Sequence, residues 1–241
     1  QRLIGTWPEA VGRFSHVRYA ETIDEYRQVV GITDASSPLV NGGYLYDADL
    51  IRMLPELFSG ITIERIDVNS ELDRLDPVPL DDRDAGLALE QRAAEVLAAV
   101  GCDVAVRAIG HPTVAALYVA DPEVLRRVDR DRTRKAGGAL WGSVMDRLDS
   151  LAGDRIDAAG PSTQRARVCL NWDNTVVRTL ASTTDVEVFS STIRLLYVQS
   201  LLDGQRPLAH ADRALMTTAI HDLIERSVGV RSINPTDDEE L

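Results

Sequence analysis

Apolar and polar positions alternate with two different periods along the first third of the chain. HVRYA, at 16–20, alternates as a strand does, and TIDEYRQVVGI after it places apolar residues at helical spacing. A second apolar run ends at Asn41, and ADLIRMLPELF then repeats apolar residues every three to four positions. ITIERIDV, at 61–68, alternates again. The order strand, helix, strand, helix, strand predicts a small parallel α/β unit over residues 1–78.

A segment rich in proline, aspartate and glycine, RLDPVPLDDRDAG at 74–86, interrupts this pattern. Such a composition is typical of loops, so it predicts a boundary between a first domain at 1–78 and a second at 79–230. A helix with an apolar stripe follows, and then two strand-like stretches, CDVAVRAI and AALYVAD. This succession predicts a mixed α+β architecture for the second domain.

Two long amphipathic helices close the pattern. Residues 185–203 carry two apolar stripes and residues 209–228 carry one, with the short turn DGQRPL between them. A turn this short predicts an antiparallel helical hairpin. Its apolar surface is broader than one small domain needs to cover, which favours a contact with another chain. Residues 231–241 are acidic and predict a disordered tail.

Another apolar stripe recurs at helical spacing after a pair of glycines. Its members are Leu140, Trp141, Val144, Met145, Leu148 and Leu151. The stripe fits either a helix packed on the domain's own core or an apolar surface left partly exposed for other proteins. Tryptophan and methionine suit adaptable apolar contacts, so the second alternative stays open.

The net charge argues against two classes of partner, and the cysteines indicate a reducing compartment. The formal net charge is -12, which argues against nucleic acid and against anionic membrane surfaces, because both attract positively charged proteins. No apolar run is long enough to span a bilayer. Cys102 and Cys169 lie far apart in apolar stretches, which predicts buried free thiols in a reducing cytoplasm.

Motifs that would indicate catalysis are missing from the sequence. The four histidines show no metal-ligand spacing, and the chain has no CxxC, HExxH, GxSxG or phosphate-loop motif. Gly42 and Gly43 follow a predicted strand, where α/β folds often bind ligands, but they lack the GxGxxG spacing. A turn is the simpler role. The alternative is a small-molecule-binding α/β enzyme domain with its site over Asn41–Gly43.

A polar cluster follows the apolar run of RVCLNWDNTVVRTLAS, where Asn171, Asp173 and Asn174 fall within four positions. Asp173 or Asn174 can accept hydrogen bonds from the free amides at the start of the helix TVVRTLA. A catalytic aspartate would need a base, nucleophile or metal partner, and the sequence offers none. We therefore expect a strand end and helix cap here, and no catalytic, cofactor-binding or metal-binding residue in the chain.

Two stretches, VCLNWDNTVVRTLAS and IRLLYVQSLLDGQRPLAHADRALMTTAIHDLI, resemble the C-terminal half of the heat-shock protein 90 chaperones in their bacterial, HtpG-like form. In that family a strand ending in Leu-Asn, a short polar step and a helix precede two long dimerisation helices. LVNGGYLYDADLIRMLPELFSGITIERID resembles the last α/β piece of the family's middle domain. The resemblance identifies 1–78 as the end of a middle domain and 79–230 as a dimerisation domain.

The resemblance also implies where ATP chemistry lies. In such chaperones, which act in protein folding and the stress response, ATP and magnesium bind a separate N-terminal domain, so no nucleotide-site residue is carried onto this chain. The chain begins at Gln1 without methionine and enters predicted structure almost at once, so we expect a fragment of a longer protein. The ending TDDEEL does not match the tail motif with which eukaryotic cytosolic members dock helper proteins.

The partners that the resemblance implies are a second copy of the chain and unfolded client proteins. The candidate residues of the dimer interface are Phe189, Ile193, Leu196, Leu215, Ala219 and Leu223. The candidates for client contact are Leu140, Trp141, Met145 and Leu148. A scaffold that dimerises without binding clients is a third alternative.

Overall fold

The computed structural model describes residues 16–33, 39–121, 124–126 and 165–228. Within them the chain is a mixed α+β protein, with a small parallel three-stranded sheet and a second, mixed sheet. The strands are β1 (His16–Ala20), β2 (Leu39–Asn41), β3 (Thr62–Arg65), β4 (Cys102–Arg107), β5 (Ala116–Val119) and β6 (Ala166–Asn171). The α-helices are α1 (Ile23–Val29), α2 (Asp47–Leu57), α3 (Val68–Asp73), α4 (Arg83–Leu97), α5 (Thr175–Ser182), α6 (Val186–Asp203) and α7 (His210–Val228).

The first sheet has the order β2-β1-β3, and both pairings are parallel, as the alternating pattern predicted. Successive side chains of β1 point to opposite faces, because a strand has a period of two. Tyr19 therefore packs with Ile51 and Leu54 of α2. Ala20 faces the other side, where it joins an apolar cluster with α1 and α3.

The second sheet has the order β4-β6-β5, with β6 parallel to β4 and antiparallel to β5. Strand β6 is central, and most of its side chains are buried. Helices α4 and α6 cover one face, where Leu89, Leu97 and Ile193 share a core with Val168 and Leu170. This is the mixed α+β arrangement that the sequence predicted.

One apolar cluster joins the two sheets. From the first unit it contains Ala20, Val29, Ile66, Val68 and Leu72, and from the second it contains Ile109, Val119 and Cys169. The amide of Ala120 donates to Gln28 Oε1 at 2.7 Å across the same junction. The proposed division at 78/79 thus falls between two sheets that share part of their core.

Helices α6 and α7 form the predicted antiparallel hairpin. Asp185 caps α6 by accepting from the amides of Glu187 and Val188. At the same end of the hairpin, Nη1 of Arg226 on α7 lies 3.1 Å from Oδ2 of Asp185. None of the helices in the described ranges combines the length and the apolar character that crossing a bilayer requires.

Candidate functional site

The side chain of Asn171, at the end of β6, is fully buried and makes four hydrogen bonds. Its Oδ1 accepts from the amides of Ile109 and Asp173, both at 3.0 Å. Its Nδ2 donates to the carbonyl oxygens of His111 (2.9 Å) and Val114 (2.7 Å). An asparagine side chain has two acceptor sites and two donors, so all are in use. Asn171 therefore fastens the loop between β4 and β5 to the central strand.

Asp173 and Asn174 continue the same junction. Asp173 Oδ2 accepts from the amide of Gly110 at 2.7 Å. Asn174 Nδ2 donates to the carbonyl oxygen of Pro112 at 2.7 Å. Asn174 Oδ1 accepts from the first free amides of α5, those of Val176 (2.9 Å) and Val177 (3.3 Å). The predicted helix cap is confirmed, with Asn174 as the capping residue.

The polar cluster is therefore a structural junction. Its side chains bond to backbone groups of the loop and of α5, and such a network of hydrogen bonds fixes a conformation. Trp172 extends the junction by donating from Nε1 to Asp82 Oδ2 at 3.1 Å, next to the start of α4. Across the described ranges, no three histidine, cysteine, aspartate or glutamate side chains meet in a group that could hold a metal ion.

The glycines after β2 are held against the chain's own backbone. A Cβ on Gly43 would lie 2.3 Å from the amide nitrogen of Ile23, and one on Gly42 would lie 2.8 Å from the carbonyl oxygen of Ala20. The amide of Gly43 donates to Asn41 Oδ1 at 2.9 Å, which closes a local turn. This geometry accounts for both glycines as a turn, since the space beside them is filled by protein atoms.

Both cysteines are buried and free, as predicted. Burial raises the pKa of the Cys169 thiol to about 12. A nucleophilic cysteine needs a lowered pKa, because the thiolate is the reactive form. Cys169 is therefore a core residue packed between the sheets.

A chain of ion pairs that was not predicted from the sequence crosses the α1 and α3 side of the first sheet. Arg18 and Glu71 form a buried pair, and Arg74 bridges Glu71 (2.9 Å) to Glu64 (2.8 Å). His16 Nε2 lies 3.0 Å from the second oxygen of Glu64. The pKa of Glu64 is lowered, chiefly by the hydrogen bond from Arg74. The charged residues in HVR (16–18) and IER (63–65) are the signal in the sequence that could have indicated these ion pairs.

The predicted interface residues are largely enclosed within the chain. Phe189, Ile193, Leu196 and Ala219 are buried, while Leu215 and Leu223 are half-buried. Arg92 of α4 stacks on the ring of Phe189, with its guanidinium carbon 3.8 Å from the ring centroid. The burial assigns the first four side chains to the chain's own core. The large apolar residues that the hairpin exposes are Val186, Leu202, Ile220, Ile224 and Val228.

Helix α2 and the residue before it expose a second set of apolar side chains, which we call the α2 outer face: Tyr46, Leu50, Met53 and Leu57. The last three are 50%, 46% and 62% exposed. They recur at helical spacing, beside the buried row of Ile51 and Leu54. Tyr44 and Leu45, in the preceding loop, are also exposed. The sequence showed that α2 is rich in apolar residues but did not show that two rows divide them.

The client-contact candidates Leu140, Trp141, Met145 and Leu148 lie outside the described residues, as does the tail at 231–241. No protein-family model matches this chain, and no curated protein matches it.

Proposed function

We propose that this chain is the homodimerising, client-contacting C-terminal half of an ATP-dependent, HtpG-like chaperone that acts in the cytoplasm. The observation that carries the proposal is the exposed apolar row on α7. Ile220, Ile224 and Val228 are spaced by four residues, so they lie on one line along the helix. They are 39%, 51% and 67% exposed, whereas Ala219 on the same helix is buried.

A second copy is the occupant that fits this row best. Val186, at the start of α6, is exposed at the end of the hairpin where α7 ends, next to the ion pairs of Arg226 with Asp185 and Glu187. A row on an antiparallel hairpin can pair with its own symmetry mate, which gives an isologous four-helix contact. Burial of apolar surface would stabilise the dimer by about 25 cal/mol per Å².

The α2 outer face supports the client-contacting part of the proposal. Leucine, methionine and tyrosine side chains adapt to many apolar partners, because they are long and make few directional demands. The face lies in the first unit, away in sequence from the helices that would pair. Leu140, Trp141, Met145 and Leu148 stay candidates for a second contact. We assign no catalytic step to this chain, since in the proposed family ATP and magnesium act on another domain.

Sedimentation of the full chain at micromolar concentration tests the dimer. We expect twice the mass of one chain for the unmodified protein and the mass of one chain for Ile220→Asp/Ile224→Asp. Leu80→Asp, at an exposed leucine outside the hairpin, is the control and should leave the dimer intact. A monomeric unmodified chain, or a double variant that still dimerises, would overturn the proposal. A stable dimer that binds no unfolded protein would favour the simple scaffold.

A further inference from the structure

The α2 outer face is bordered by acidic side chains along one side. At 100° per residue, Asp49 and Glu56 are seven positions apart and lie on one line beside Leu50, Met53 and Leu57. Asp49 exposes 72% of its side chain, and Glu56 is also exposed. An apolar chain segment placed along the leucines would therefore have its flank next to two carboxylates.

The positive charge nearby is already engaged. Arg52, the single basic residue of α2, pairs with Glu21 and lies 2.9 Å from Asp49 Oδ1. Arg65 lies 2.9 Å from Glu21 and 3.3 Å from Glu25. Glu56 has no ion pair or hydrogen-bonding partner within the described ranges.

The local balance is therefore negative. Helix α2 and the ion pairs linked to its Arg52 contain five carboxylates and two guanidinium groups. The carboxylates are those of Glu21, Glu25, Asp47, Asp49 and Glu56, and the guanidinium groups are those of Arg52 and Arg65. The net charge of -12 adds a field of the same sign over the whole chain. A positively charged flank is attracted to this border, and a negatively charged flank is repelled by it.

We infer that the α2 outer face selects apolar polypeptide segments that carry lysine or arginine beside the apolar residues. This rests on the proposed client-contacting function and adds the class of segment that the face takes. Leu50, Met53 and Leu57 supply the apolar contact, which is insensitive to sequence. Asp49 and Glu56 distinguish between segments of equal apolar content. They attract a segment with a positively charged flank and repel one with a negatively charged flank.

Fluorescence anisotropy with two labelled peptides tests the inference on the full chain. Both peptides share one core of leucine and phenylalanine; one has lysine flanks and the other has glutamate flanks. We expect tighter binding of the lysine-flanked peptide. Asp49→Asn/Glu56→Gln should weaken its binding about fivefold to tenfold, as the loss of two surface ion pairs implies. Added salt should reduce the preference, because these charges are exposed.

Two matched variants separate the possible outcomes. Glu95→Gln/Asp203→Asn removes the same charge at exposed positions on α4 and α6 and should leave both affinities unchanged. Leu50→Ser/Met53→Ser should weaken both peptides alike. Equal binding of the two peptides, lost in Leu50→Ser/Met53→Ser, would overturn the charge selection and leave the docking face standing. Binding of neither peptide, or binding that survives Leu50→Ser/Met53→Ser, would overturn the docking face as well. Each variant is compared only if its circular dichroism spectrum matches that of the unmodified chain, which shows that it is folded.

Discussion

The side-chain amide of Asn171 donates to the carbonyl oxygen of Val114 at 2.7 Å, across 57 residues of sequence. The same amide group also donates to the carbonyl oxygen of His111. A loop that connects two strands is thereby held by the strand between them in the sheet. Without these donors, two partly buried carbonyl oxygens would lose their side-chain partners, and a buried polar group without a partner costs more than a lost surface hydrogen bond.

Replacing Asn171 should therefore destabilise the fold strongly. We expect Asn171→Ala to lower the free energy of unfolding by about 3 kcal/mol, because four backbone groups lose their partners, among them the buried amide of Ile109. Asn174→Ala should cost less, about 1 to 2 kcal/mol, as the loss of a helix cap with one loop contact. Urea unfolding followed by circular dichroism measures both. Equal losses in the two variants would contradict the central role given to Asn171.

The turn after β2 gives a second prediction. Gly43→Ala should lower the free energy of unfolding by about 1 to 3 kcal/mol, because its Cβ would overlap the backbone at Ile23. Gly31→Ala is the matched control, since a Cβ there would meet nothing within 4 Å. We expect that control to stay within about 0.5 kcal/mol of the unmodified chain. Thermal melts of both variants would show the difference. If Gly43→Ala were as stable as the unmodified chain, the space beside the turn would not be filled by protein atoms, and the alternative of a ligand site there would stand again.

Burial of Phe189 leads to a third prediction. Phe189→Ala should lower the free energy of unfolding by about 3 to 5 kcal/mol, because it leaves a cavity in the core and removes the ring beneath Arg92. Val186→Ala, on the same helix but 70% exposed, should change it by less than about 0.5 kcal/mol in the monomer. Urea unfolding at a protein concentration low enough to keep the chain monomeric would measure the loss of core stability apart from any loss of dimerisation. If Phe189→Ala changed the free energy of unfolding little but weakened dimerisation, Phe189 would be assigned to the dimer interface.

The lowered pKa of Glu64 predicts a dependence of stability on pH. A carboxylate with a lower pKa in the folded state contributes stability above its unfolded pKa, about 4.3 for glutamate. That contribution is lost as the pH falls through the lower, folded-state pKa. Glu64→Gln should therefore be less stable than the unmodified chain at pH 7, and the difference should shrink towards pH 3. Glu56→Gln, which removes a carboxylate that makes no ion pair within the described ranges, is the control, and parallel pH profiles for the two variants would refute the assignment to Glu64.

Local features of the fold could be predicted from sequence, whereas contacts between distant segments could not. The cap at Asn174 was predictable, because a capping side chain bonds amides two and three residues ahead. The role of Asn171 was not, because its loop partners lie about 60 residues upstream. Nor did periodicity show which apolar row of α2 is buried. Leu50 and Ile51 both fit a helical stripe, and only the sheet beneath determines that Ile51 turns inward.

The same limit applies to α6. Two apolar stripes suggested a surplus that a second chain would cover. In the folded chain, α4 and the second sheet already enclose Phe189, Ile193 and Leu196. An isolated sequence does not show how much of a helix its own neighbours will cover.

The apolar cluster between the two sheets has a mechanical consequence. Ala20 and Val29 of the first unit interlock there with Val119 and Cys169 of the second, so the junction is made of packed side chains. Close-packed side chains resist shear, because sliding them opens gaps that no atom fills. We therefore expect a torque applied to the helical hairpin to reach the first sheet through this cluster, and the α2 outer face to turn with that sheet.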